Sequence, residues 1–109
     1  MVKAVVKTKA AAVTRTKTVA YDVAEQLRTP EEMAAYLDVW LEEAPDDIAG
    51  ITRALGDIAR AKGMSQVARD AGLSRESLYK ALSEDGNPSF ATVLKVARAL
   101  GVKFHAQPA

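Results

Sequence analysis

The sequence predicts an all-α fold in a single domain of about six helices. Three observations carry that expectation. The 109 residues are 49% hydrophobic but only 6% aromatic, rich in Ala and Leu, a balance that favours packed helices over a sandwich. Apolar residues recur at three- and four-residue intervals through much of the chain. Residues that cap helices stand before these stretches, and Gly or Pro stands after them.

Taken in order, residues 1–20 mix Lys, Ala, Val and Thr with no helical or strand period. They read as a disordered basic tail ahead of a domain spanning 21–109. The tail has no sustained apolar core, so it does not read as a secretion signal. Asp22 followed by Glu25 fits a capping box opening a short helix through about Arg28. Thr29, Pro30 and Glu32 make a clearer start, with Thr29 as cap and Glu32 reaching back to its amide. Met33, Tyr36, Leu37, Trp40 and Leu41 then form an apolar stripe, and Pro45 stops the helix. Asp46 or Asp47 opens the next, with Ile48, Ile51, Leu55 and Ile58 on one face and Gly63 at its end. Ser65 is expected to cap a short helix ending at Gly72. Ser74 caps another running to about Ser83. Asp85-Gly86 and Asn87-Pro88 mark a turn. Ser89 caps a last helix with Phe90, Val93, Leu94, Ala97 and Leu100 on one face and Gly101 at its end. Residues 102–105 can be extended and add a short strand.

The functional signal lies in residues 64–82, MSQVARDAGLSRESLYKAL. Two short helices crossing closely need a small residue at the crossing, and Ala68 supplies it. The turn needs a residue tolerant of positive φ, and Gly72 supplies it four positions later. Val67, Ala71, Leu73, Leu78 and Ala81 can lock the pair onto the domain. This is the pattern of a helix-turn-helix, whose second helix lies in the DNA major groove. With Leu78 and Ala81 inward, that helix presents Arg75, Glu76, Ser77, Tyr79 and Lys80, with Ser74 at its start. Arg75 can donate two parallel bonds to guanine O6 and N7, and Glu76 can accept from cytosine N4 or orient Arg75. Ser77 suits base edges or phosphate; Tyr79 and Lys80 suit phosphate or a thymine methyl. Gln66, in the first turn of the preceding helix, can meet a phosphate.

Charge is unevenly spread along the chain. Residues 1–20 carry five basic side chains and no acid, residues 21–63 ten acids against four bases, and residues 64–109 six bases against four acids. The middle therefore calls for a basic partner and the ends for an acidic one. With no Cys and one His, His105, neither a thiol nucleophile nor a ligand set is expected, so no metal and no cofactor. The glycines stand singly at turns and helix ends, not in a phosphate-cradling loop. Glu31/Glu32 and Glu42/Glu43 are adjacent and diverge around a helix. No enzyme is expected. No apolar run approaches a membrane span, and a cytoplasmic protein is the expectation.

Tyr21-Asp22, YLDVWLEEAPDDI (36–48) and ITRALGDIARAKGMSQVARDAGLSRESLYKALSEDGNPSFATVLKVARALGV (51–102) together resemble the addiction-module antidote proteins, antitoxins of toxin–antitoxin operons. Residues 72–90, GLSRESLYKALSEDGNPSF, are the most specific part; the basic tail departs from the usual pattern. The resemblance implies a lambda-repressor-like helix-turn-helix domain with an N-terminal helical extension, similar to the HigA group. It implies a RelE/ParE-like toxin as partner, operator DNA bound as a homodimer, and repression of the chain's own operon. Such toxins tend to be basic. That makes Glu42, Glu43, Asp46 and Asp47, with Tyr36 and Trp40 nearby, candidates for the toxin-facing surface; more simply, Tyr36 and Trp40 fit a core and the acids a solvated edge. Two other readings remain open from sequence: a prophage-type repressor with no toxin partner, and a protein-interaction module whose helix pair no longer binds DNA.

Overall fold

The computed structural model describes residues 26–83 and 85–109. The expected tail of 1–20 and the start of the helix expected from Asp22 lie outside these residues; Gln26 is helical and Leu27 no longer is. Five helices follow: α1 (Pro30–Glu43), α2 (Ile48–Lys62), α3 (Met64–Ala71), α4 (Arg75–Ala81) and α5 (Phe90–Leu100). Among the described residues there is no strand, and no helix is long and apolar enough to cross a membrane.

The helix starts follow local chemistry. Thr29 Oγ1 accepts from the Glu32 amide at 3.1 Å, and Glu32 Oε1 accepts from the Thr29 amide at 3.0 Å. This closes the capping box at the head of α1. Asp47 caps α2 through the Gly50 amide at 2.9 Å. Ser74 caps α4 and Ser89 caps α5. Ser65, expected to cap α3, does not. The helix opens two residues earlier, with Gly63 as its cap residue and no side-chain cap. The Gly63 carbonyl accepts from the Val67 amide at 3.0 Å, and Met64 is already buried. Residues 102–105 form no strand either, since no strand lies beside them. Instead the Val102 amide bonds back to the Ala97 carbonyl at 2.9 Å, completing the Schellman closure of α5 around Gly101.

The core forms where α1 lies on α2, and where α3 packs against α2, α4 and α5. Tyr36, Leu37, Val39, Leu55, Ile58, Val67, Leu78, Val96 and Leu100 are its fully buried large side chains. Ala54, Ala59, Ala68 and Ala99 lie among them, and their small size lets the short helices approach closely. Lys62 Nζ donates to the Ala99 carbonyl at 2.8 Å, tying the end of α2 to the end of α5.

The predicted apolar stripes extend past their cover. Leu41 is 39% exposed, Ile48 62%, Phe90 72% and Leu94 40%. Leu41 and Ile48 lie on either side of the α1–α2 connection. The buried face of α5 centres on Val96 and Leu100, which leaves Phe90 and Leu94 outside it.

Candidate nucleic-acid interface

α3 and α4 are joined by the three residues 72–74. Gly72 adopts φ +72°, the left-handed conformation that L-residues with a Cβ adopt only at a cost. The Leu73 amide then bonds to the Ala68 carbonyl at 2.8 Å, which ends α3 and redirects the chain. Val67 (0% exposed), Ala68, Ala71 and Leu78 (0%) bury the inner faces of the pair. Leu73 packs partly buried against them, and Ala81 is half-buried. The residues predicted to lock the two helices together do so.

The outer face of α4 is polar. Arg75, Glu76, Ser77, Tyr79 and Lys80 are all exposed, as is Gln66 in the first turn of α3. Ser74 accepts from the Ser77 amide at 3.0 Å and donates to Ser77 Oγ at 2.8 Å, so its first task is to cap α4. The two hydroxyls form one small cluster at the start of the helix. Arg75 reaches along α4 rather than away from it. Its Nη2 donates to Tyr79 Oη at 3.3 Å, and its guanidinium carbon lies 5.4 Å from the Tyr79 ring centroid. This pairing was not foreseen from sequence, although the i,i+4 spacing of a cation and an aromatic is a legible signal for it. Beyond α4, Gly86 brings the following loop tightly under the helix end, its amide bonding to the Ser83 carbonyl at 2.8 Å.

The second predicted surface is altered by the fold. Tyr36 is 1% exposed and Trp40 3%, so neither side chain is presented for a partner to touch. They face inward because α2 crosses α1 over them. The Tyr36 hydroxyl donates to Asp57 Oδ2 at 3.0 Å, and Arg60 Nη2 donates to Asp57 Oδ1 at 2.7 Å. Burial pushes the Tyr36 hydroxyl well above the ordinary phenol range, and the nearby Asp57 carboxylate pushes it further. Burial also raises the Asp57 carboxyl above its ordinary value, against the lowering effect of the Tyr36 and Arg60 hydrogen bonds. The Trp40 indole N–H is buried and lacks a well-formed hydrogen bond, though it leans toward the Tyr36 hydroxyl closely enough to oppose its upward shift. Glu42, Glu43, Asp46 and Asp47 remain exposed around the α1–α2 connection.

Among the described residues, no three of His, Cys, Asp and Glu gather as a metal site. His105 is exposed near the C-terminus.

These features define an all-α protein in which a short polar helix is displayed on an apolar core by a tight glycine turn. The chain belongs to a family described as "Probable addiction module antidote protein", whose model matches residues 17–108. It is also similar to a Haemophilus influenzae protein that carries only the name "Uncharacterized protein". The two are 60% identical over 87 residues, covering 80% of this chain and 88% of that relative. No solved structure matches the chain.

Proposed function

We propose that the chain is an antitoxin that neutralises a RelE/ParE-like toxin and, through α3 and α4, represses its own operon by binding operator DNA. Membership of an antidote family carries the antitoxin half of this reading. The polar outer face of α4, set on the fully buried Leu78, supports the DNA half, because it is the surface a groove-reading helix needs. Arg75 reads a guanine, with Tyr79 beside it; Glu76 and Ser77 contact neighbouring base edges or phosphate; Gln66 and Lys80 hold the backbone, with Ser74 fixing the start of the helix. As a cytoplasmic homodimer of the HigA type, the protein presents two copies of α4 about 34 Å apart to a palindromic site.

The toxin-facing surface belongs at the α1–α2 connection. Residues 29–52 carry seven acids and no Lys or Arg. With Tyr36 and Trp40 withdrawn into the core, the large apolar side chains exposed there are Leu41 and Ile48. Glu42, Glu43, Asp46 and Asp47 flank them, a combination that suits a basic partner with an apolar centre.

Co-expression with the adjacent reading frame tests the first half. The tagged chain is expected to co-purify with that frame's product and to rescue growth from it; loss of both results rejects the antitoxin role. A shift assay on the DNA upstream of its own frame tests the second half. Binding is expected to be sequence-selective and to weaken steeply with added salt as phosphate contacts release counterions. Equal affinity for unrelated DNA rejects the repressor role.

A further inference from the structure

Arg75 is the first residue of α4. A cation there opposes the helix dipole, whose positive end lies at that terminus. The side chain is held by a contact one turn on. Its guanidinium sits toward the hydroxyl edge of the Tyr79 ring, with the 5.4 Å centroid distance and the 3.3 Å hydrogen bond satisfied together. Tyr79 is 45% exposed, so the pair stands on the surface of α4 and is not a product of core packing. The aromatic face favours the cation, and the phenol oxygen takes one of its five N–H donors. The remaining donors still include a two-pronged edge of the kind that guanine O6 and N7 accept.

We propose that Tyr79 is a positioning residue for Arg75. It holds the guanidinium in place along α4 before DNA arrives and so sharpens the base preference at the position Arg75 reads. This rests on the DNA-reading role proposed above and gives Tyr79 its part in it: Tyr79 acts through Arg75 rather than through a phosphate contact of its own. An Arg that is already ordered loses less rotamer freedom on binding, and the gain appears only where the Arg makes a directed contact. Nonspecific attraction to phosphates depends on the charge, which Tyr79 does not change.

A double-mutant cycle tests this, with two probes: a duplex of the DNA upstream of the chain's own frame, and mixed-sequence calf-thymus DNA. The proteins are wild type, Arg75→Ala, Tyr79→Ala, Tyr79→Phe, and Arg75→Ala combined with each Tyr79 change. Tyr79→Ala is expected to weaken binding to the upstream duplex about five- to tenfold, and Tyr79→Phe, which keeps the ring, about twofold. In the Arg75→Ala background both Tyr79 changes are expected to shift affinity by less than about twofold. Binding to mixed-sequence DNA and the salt slope are expected to be unmoved by either Tyr79 change, while Arg75→Ala, which removes a charge, lowers both to the same extent with and without Tyr79. An equal loss with and without Arg75 overturns the proposal, because Tyr79 then touches DNA independently. A wild-type protein that does not prefer the upstream duplex overturns the DNA-reading role and this inference together; preference with an additive cycle overturns this inference alone. Because Tyr79 lies outside the core, thermal midpoints are expected to stay level, and a drop in selectivity with an unchanged midpoint separates positioning from a folding defect.

Discussion

At Asp57, burial and hydrogen bonding pull one carboxyl in opposite directions, and burial prevails. Its folded pKa therefore lies above its unfolded value. Such a group contributes stability that is fully present below the ordinary carboxylate range and is lost as pH rises through the raised value. Asp57→Asn does not titrate, while the other groups titrate alike in both proteins. The thermal midpoint of wild type relative to Asp57→Asn is expected to be highest below about pH 4 and to fall toward neutrality. A difference that grows in favour of wild type with rising pH would show that ionised Asp57 is net stabilised by its partners. Tyr36→Phe removes one donor and leaves a buried carboxylate oxygen unpartnered, which is expected to cost about 1–3 kcal/mol in denaturant unfolding. Neither residue faces the proposed DNA surface, so both variants should keep DNA selectivity wherever they remain folded.

At the scale of the element, two glycines set the reading helix for different reasons. Gly72 has open space where a Cβ would go but holds φ +72°, so the obstacle to substitution is the dihedral alone. Gly72→Ala is expected to lose about 1–2 kcal/mol, and Gly72→Asn less, because Asn tolerates the left-handed region. Gly86 has no positive φ; its obstacle is space. A Cβ there would lie 2.7 Å from the Lys80 carbonyl oxygen and would also press on the Ala81 carbonyl. These are backbone atoms at the end of α4 and cannot swing aside, so Gly86→Ala should cost about 1–3 kcal/mol and Gly86→Asn should bring no relief. Urea midpoints of the four variants distinguish the two causes. Rescue of Gly86 by Asn would show that its role had been misread.

At the scale of the molecule, the proposed surfaces sit on different elements, toxin contact at the α1–α2 connection and DNA contact on α3 and α4. They should therefore separate by mutation. Glu42→Lys with Glu43→Lys, and independently Ile48→Asp, are expected to reduce co-purification of the adjacent frame's product at low salt by about tenfold or more. Selectivity for the upstream duplex is expected to remain. Ile48 is 62% exposed, so its change should leave the thermal midpoint level and serve as the control for folding. Undiminished co-purification in both variants moves the toxin surface elsewhere.

Helix order, the caps at Thr29, Ser74 and Ser89, the start of α2 at Asp46 or Asp47, and the turn at Gly72 were legible because capping and turn chemistry act within a few residues of chain. Leu78 as the anchor of α4, with Arg75, Glu76, Ser77, Tyr79 and Lys80 outward, followed from helical period alone. Periodicity gives a direction and not a cover, however. Trp40 and Ile48 both stood on apolar stripes, yet one is enclosed and the other open to solvent, because burial depends on where the opposing helix ends. Asp57 found Tyr36 across 21 residues of sequence, a pairing that no local pattern contains. Local backbone preferences and side-chain spacing thus settled which segments are helices and which face of α4 is polar. Only the packing of α1 against α2 decided which aromatics leave the surface, and only the three-dimensional reach of Arg75 placed its guanidinium against Tyr79.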